Sequence, residues 1–285
     1  MQREGDRDDD SDEALRVERS EWAGATMLTG ADEVVREEPL ELRIAGTPLA
    51  VVMRTPGHDE ELARGFLISE GVVRAAADVV SVRPCSAASG EAEGNVIQAT
   101  LAPGVEVDWA RLRRHMYASS SCGVCGKRTI ASALAVSPAL PDDGTRVASE
   151  TLYALPEKLR AAQAVFGRTG GLHAAGLFDA AAGTPLVVRE DVGRHNAVDK
   201  VIGWAAARGD ASLAGRILVV SGRVSFEIVQ KALAARAPVV AAVSAPSSLA
   251  IEAARAGNLT LIAFLRGRRM GVYASGFRIV GEAGV

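Results

Sequence analysis

The chain is poor in cysteine, with three in 285 residues. An odd and small number argues against an oxidised extracellular disulfide framework and for a reducing compartment. Long apolar runs are missing too, since no stretch reaches the ~20 residues that a transmembrane helix needs. The N-terminus is acidic and polar where a secretory signal would be basic and then apolar. An excess of charge is also absent. The formal net charge of −3 and a pI near 5.9 give no general attraction to nucleic acid or to an anionic membrane, so any anion site has to be local. These absences together predict a cytoplasmic protein with neither nucleic acid nor membrane as partner.

What is present is apolar mass. At 48% hydrophobic, the chain can bury one large core or two modest ones without disulfide staples. Residues 1–21 contain Asp6, Asp8, Asp9, Asp10, Asp12 and Glu13 and almost nothing to bury, which predicts a disordered acidic tail. Residues 22–118 read as a smaller β-rich domain. Its segments 40–44 and 49–53 alternate and turn as a hairpin does. Asp59 then stands where it can cap a helix carrying Leu62, Phe66 and Leu67 at helical spacing and ending by Gly71. Strands are expected at 79–83 and 95–101, around a polar loop at 86–94.

Residues 119–137 hold the only two thiols within reach of each other, Cys122 and Cys125 in Ser-Ser-Ser-Cys-Gly-Val-Cys-Gly-Lys-Arg. The small residues allow a loop that bends and approaches a partner closely. A helix read at 129–136 would set the thiols before its positive end. With Lys127 and Arg128, that end favours thiolate and makes the pair nucleophilic. This is a site for sulfur chemistry unless it is half of a metal site.

Residues 138–285 have the clearest architecture. Apolar strands at 216–222, 238–244 and 259–265 alternate with helices at 226–236 and 248–256, which predicts an α/β domain whose parallel sheet is covered on both faces. Ligands of such sheets bind beyond the carboxyl ends of the strands. Those ends carry Ser221-Gly222-Arg223, the turn at 244–248 and Arg266-Gly267-Arg268-Arg269, the composition of a phosphate-binding rim. Before them, a strand at 173–179 turns at 180–183 and returns at 185–189. It runs into Glu-Asp-Val-Gly-Arg-His-Asn-Ala-Val-Asp-Lys at 190–200, a polar density at a strand-to-helix turn that suggests a second part of the site.

These stretches carry a resemblance. Ser-Ser-Cys-Gly-Val-Cys-Gly at 120–126, Thr-Gly-Gly-Leu-His at 169–173, the 190–200 segment, Ser221-Gly222-Arg223 with Phe226-Glu227, the turn at 246–248 and Phe264-Leu265-Arg266-Gly267-Arg268-Arg269 look like the FdhD family. Pro56-Gly57-His58-Asp59 with 61–67 is similar as well, so the match covers roughly residues 38–275. The family is the accessory sulfurtransferase of formate dehydrogenases. The resemblance implies a persulfide loaded by a cysteine desulfurase, passage of that sulfur to the bis-molybdopterin guanine dinucleotide form of the molybdenum cofactor, and delivery to formate dehydrogenase. It also implies a C-terminal domain of cytidine-deaminase-like three-layer fold, and a homodimer. From it Cys122 becomes the persulfide carrier and Cys125 the assisting thiol. Arg266, Arg268 and Arg269 become phosphate contacts and Phe264 a stacking face for guanine. Leu265, Gly267, Ser221, Gly222, Arg223, His173 and His195 complete the expected cofactor-binding set.

Blander readings stand beside these. A CxxC is often half of a zinc site, but Cys85 is solitary and the four histidines lack paired ligand spacing, so no metal is expected. A zinc deaminase needs an H-x-E signature, whereas His173 precedes Ala174-Ala175 and His195 precedes Asn196-Ala197. Thiol-disulfide exchange would need a thioredoxin-like setting. His173 and His195 are also readable as core histidines, and Arg268 and Arg269 as a solvated edge. The functional alternative is a non-catalytic chaperone that holds the molybdenum cofactor while the cysteines only grip metal or partner.

Overall fold

Period-two alternation builds the N-terminal sheet. A computed structural model describes residues 13–85, 93–109, 138–210 and 212–281. In it β3 (Glu38–Ile44) and β4 (Thr47–Arg54) form the expected hairpin and join β5 (Val79–Pro84) and β6 (Val96–Leu101) in a sheet of order β4-β3-β6-β5. Leu40, Leu42 and Ile44 turn to one face and pack with Leu62, Ala63 and Leu67 of helix α1 (Asp59–Ser69). The cap differs from expectation. His58 takes the N-cap position in left-handed conformation (φ 56°), and Asp59 is already helical. The cause is Arg54, whose buried guanidinium donates to Asp59 through Nε (3.0 Å) and Nη2 (2.9 Å), and also to Glu38 and Asn95. A buried charge is tolerable only with such partners.

Part of the segment expected to be disordered is a strand. Residues 14–23 form strand β1 (Ala14–Ala23), paired antiparallel and without a bulge to β2 (Thr26–Val35). Ten backbone pairs stabilise this hairpin despite its acidic composition. Its base is fixed by a bond from Arg36 N to Glu13 O (2.9 Å) and by Val35, packed so close to Gly171 that a Cβ there would overlap it. Residues 1–12 lie outside the described set.

The C-terminal part is a six-stranded sheet of order β13-β12-β11-β10-β8-β9. The strands are β8 (His173–Asp179), β9 (Pro185–Asp191), β10 (Arg216–Val220), β11 (Val239–Ala242), β12 (Thr260–Arg266) and β13 (Arg269–Ala274). β10, β11 and β12 run parallel as predicted. The sheet as a whole is mixed, because the β8–β9 and β12–β13 hairpins add antiparallel edges. Alternate strand residues feed two cores. Ile217, Val219, Ala241 and Ile262 pack with Leu152, Leu155 and Leu159 of α2 (Ser149–Ala161). Leu218, Val220, Val240 and Leu261 pack with α4 (Arg194–Ala207), α5 (Phe226–Ala234) and α6 (Ser248–Ala256). That gives three layers, helix over sheet over helix. The short α3 (Ala164–Thr169) and the two-residue pair of β7 (Val147–Ala148) and β14 (Ile279–Val280) complete the described elements. Among the described residues no helix is long and apolar enough to cross a membrane.

Two glycines join the sheets. At Gly65 of α1 a Cβ would lie 2.6 Å from the Asp199 carbonyl carbon, and at Gly203 of α4 one would lie 2.6 Å from that of Glu61. The helices therefore cross backbone on backbone, a contact open only to glycine. Around the crossing, Arg189 makes a two-pronged pair with Glu61 (2.6 and 2.9 Å). Lys231 meets Asp199 (2.9 Å), Glu70 (2.8 Å) and Ser69 (2.9 Å) in a buried cluster. Burial by itself would lower the Lys231 pKa, but the two carboxylates hold it well above its ordinary value.

Candidate functional site

The three parallel strands end in one laced rim. After β10, Ser221 is clipped to β8: its N–H donates to Ala174 O (2.9 Å) and its Oγ accepts from Ala174 N (2.9 Å). Val224 N then donates to Ala245 O (3.0 Å) and Ser247 N to Val224 O (2.9 Å), joining the turns after β10 and β11. Ser244 O accepts from Phe264 N (3.1 Å), and Arg266 Nε donates to Val243 O (3.1 Å), which brings in the end of β12. Sequence segments that are far apart in the chain thus form one edge.

Within that edge, Phe264 stands out. It is left-handed (φ 51°) at a β-bulge, the residue is 44% exposed, and its ring centroid is 6.5 Å from that of Tyr273. A bulky residue in that conformation stores about 1–3 kcal/mol, which persists where the surroundings impose it and is found at ligand sites. Its neighbour corrects an expectation. Leu265 is fully buried in the core beneath α2, so its side chain cannot touch a ligand. Residues 266–269 form the hairpin turn between β12 and β13, with Gly267 at φ 52° and Arg266 opposite Arg269. Arg268 is drawn toward α2, where it forms a two-pronged ion pair with Glu150 and lies over the Tyr153 ring. Arg266 and Arg269 are exposed.

The second part of the site lies where β8, α4 and α5 meet. A Cβ on Gly222 would come within 3.2 Å of His173 Nδ1, tighter than an ordinary contact, so the absence of a side chain lets His173 close on the rim, with Arg194 Cβ beside it at 3.7 Å. His195 Nε2 contacts Glu227 Oε2 (2.9 Å) and Ser225 Oγ (3.2 Å), and Ser225 donates to the same Glu227 oxygen (3.1 Å). Burial alone would raise the Glu227 pKa. The bonds from His195 and Ser225, with the nearby charges of His195 and Arg194, more than offset it and leave the carboxyl below its ordinary value. His173 is shifted down, first by burial and then by the positive charges of Arg194, His195 and Arg223.

The 190–200 segment divides into scaffold and site. Asp191 and Lys200 form a fully buried pair (2.9 Å), with Asp191 Oδ1 accepting from Gly193 N (2.8 Å) and Asn196 Nδ2 (2.9 Å). Asn196 also donates to Met53 O (2.7 Å), Lys200 to Thr55 O (3.0 Å), and Val192 N to Thr55 Oγ1 (3.2 Å). Glu190 accepts from Val165 N (3.0 Å) and Phe166 N (2.9 Å) at the start of α3. These residues fix the entry of α4 against the end of β4, which leaves Arg194 and His195 at the rim. Arg194, Ser225 and Glu227 were not in the expected set. The signal for them was the motif they share with His195 and Arg223.

Cys122 and Cys125, the helix read at 129–136 and most of the 86–94 loop lie outside the described residues. Cys85, just beyond β5, is half-buried and unbridged. Among the described residues no three His, Cys, Asp or Glu side chains converge as a metal site would need.

The model of the FdhD/NarQ family matches residues 35–280. The sulfur carrier protein FdhD of Mycobacterium tuberculosis is 52% identical over 259 residues, covering 89% of this chain and 94% of its own. The protein of that name from Streptomyces coelicolor is 49% identical, covering 90% of this chain and 92% of its own. The crystal structure of a proposed formate dehydrogenase accessory protein from Desulfotalea psychrophila superposes with a TM-score of 0.72 at 19% identity, over 94% of this chain and all of that one, and so shares its fold. With 246 of its residues under the family model and half of its positions shared with curated members, the chain belongs to the FdhD/NarQ family.

Proposed function

We propose that this protein is a sulfurtransferase that carries sulfur from a cysteine desulfurase to the molybdenum cofactor destined for a formate dehydrogenase. In the loading step the Cys122 thiolate attacks the terminal sulfur of the donor persulfide. The donor S–S bond breaks, its cysteine leaves as a thiolate, and Cys122 holds the sulfane sulfur. Attack by Cys125 on the inner sulfur would release that sulfur at the hydrosulfide level and leave a disulfide. The observation that carries the reading is the Cys122/Cys125 motif in a chain of this family, whose relatives bear the name sulfur carrier protein.

The rim supports the second half of the relay. Exposed Arg223, Arg266 and Arg269 suit the phosphates of a guanine dinucleotide, and the strained, exposed Phe264 suits its base. The molybdenum cofactor is here substrate, not a resident group. Delivery in a reducing cytoplasm and action as a homodimer belong to the same proposal.

Intact-protein mass spectrometry after incubation with cysteine and an active cysteine desulfurase tests the reading. A reducible gain of one sulfur atom that is lost in Cys122→Ala supports it. No gain in folded wild-type protein overturns it in favour of a cofactor chaperone without sulfur chemistry.

A further inference from the structure

The β1–β2 ribbon stands out from the rest of the molecule. The body grips it at its base, through Arg36 N on Glu13 O, Val35 on Gly171 and Glu33 near Arg168 (3.7 Å), while residues 18–31 are exposed throughout. A two-stranded hairpin is marginal in water without a further strand or a covering layer. This one nevertheless exposes Leu15, Trp22, Met27, Leu28 and Val34, with Trp22 at 67% and Met27 and Leu28 each at 54%. Among the described residues its sheet holds these two strands alone, so both long edges are open. Open edges are ordinarily guarded by lysine, proline or a bulge. Residues 14–35 contain no lysine and no proline, and their pairing has no bulge. The β1 edge is still guarded by the charges of Arg16, Glu18, Arg19 and Glu21, but residues 22–31 carry none, which leaves β2 unguarded from Thr26 to Ala31.

We propose that the ribbon is the docking surface for a second copy of this chain, with β2 pairing antiparallel to its counterpart about a two-fold axis at Leu28. The product is one four-stranded sheet, β1-β2-β2-β1, in which the unguarded edges cover each other. A two-fold contact has to be self-complementary, and the charges of β2 meet that condition in this register. With Leu28 opposite itself, Asp32 and Glu33 of each copy face the uncharged Gly24 and Ala23 of the other. An axis at Asp32 or Glu33 would instead set like charges against each other. Trp22 and Met27 share one face of the ribbon and Leu28 lies on the other, so closing the pair brings apolar side chains of both copies together on each face. An anionic membrane is the poorer occupant, because Glu18, Glu21, Asp32 and Glu33 outnumber Arg16 and Arg19 on the ribbon. The homodimer of the proposed function, on which this rests, thereby gains a defined surface far from the cysteine pair in sequence.

Analytical ultracentrifugation of the full chain over a range of concentrations tests this. Wild type is expected to be a dimer. Leu28→Lys should weaken it roughly 100-fold, because each copy loses a buried leucine and gains a cation facing its twin; circular dichroism checks that this variant is folded. Cross-linking gives a second readout that does not depend on destabilising the ribbon. In a chain with Cys85, Cys122 and Cys125 replaced by serine, Leu28→Cys should form a disulfide between copies under mild oxidation. Ser20→Cys, on β1 and away from the axis, should not. A dimer unweakened by Leu28→Lys, or a dimeric Leu28→Cys chain that stays unlinked, would overturn the ribbon surface while leaving the homodimer in place. A monomeric wild type would overturn both. Binding of a monomeric chain to phosphatidylserine vesicles, lost in Trp22→Ser, would assign the ribbon to a membrane and overturn the proposal as well. Persulfide loading on Cys122 is read separately, so none of these outcomes is confused with failure of the sulfur-carrier reading.

Discussion

The backbone contact between α1 and α4 makes Gly203→Ala the most informative stability test. The added methyl would lie 2.6 Å from the Glu61 carbonyl carbon and 2.9 Å from Gly65 N. The Glu61 carbonyl oxygen lies nearer still, and carbon atoms pack best at about 3.5–4.0 Å, so the helices must separate by more than about 1 Å or distort. Both obstructing groups are backbone, and no side chain can swing away. Overpacking of this kind costs about 1–3 kcal/mol or more, against a gain of about 1 kcal/mol from replacing glycine by alanine within a helix. The expected result is a net loss of about 2 kcal/mol, with strain spreading into the Lys231–Asp199 and Arg189–Glu61 pairs that depend on the crossing. Thermal unfolding followed by circular dichroism should show a drop of about 4–8 °C. Gly167→Ala in α3 is the control, because nothing lies within 4 Å of its added carbon and its φ is ordinary. It should be neutral or slightly stabilising. Equal unfolding temperatures for Gly203→Ala and wild type would refute the close crossing.

Other outcomes follow from the site and its supports. Phe264→Gly should raise the unfolding temperature slightly by removing the left-handed strain while weakening guanine nucleotide binding several-fold, read by calorimetry; a variant that loses both stability and binding would remove the case for Phe264 as a ligand contact. Lys231→Met should cost about 3–5 kcal/mol in urea unfolding, because it leaves Asp199 buried without its cation, and adding Asp199→Asn should restore part of that. Glu227 gives a pH signature: its folded pKa is depressed, so its contribution is present above the ordinary value near 4.5 and is lost as pH falls through the folded value. Wild type should therefore lose more stability than Glu227→Gln on acidification from pH 6 to pH 3, and parallel curves would count against the His195–Glu227 contact.

Much of the C-terminal fold was legible because its signals are local. Apolar runs of strand length at 216–222, 238–244 and 259–265, broken by helical periodicity and small-residue turns, fix a parallel three-strand centre whatever surrounds it. The β8–β9 return was readable from its turn for the same reason. Composition misled at β1. Counting acids over 1–21 hid a ten-residue strand whose support comes from β2, itself packed through Val35 against Gly171, more than a hundred residues away. Within the rim, the sequence marks 264–269 as one motif, yet the β-bulge at Phe264 turns that ring outward and sends Leu265 into the core. A period-two pattern cannot foresee a bulge.

From the sequence alone came the alternation of strands and helices, the rim composition and the motifs of a sulfur-handling family, all of which depend on neighbours along the chain. The tertiary structure decided which polar residues of 190–200 are scaffold and which reach the site. It also decided that His173 and Arg194 both border Gly222, and that two helices cross at Gly65 and Gly203. Those outcomes depend on close approach between segments distant in sequence, where burial, the need to pair every buried charge and the space left by a missing side chain select one arrangement.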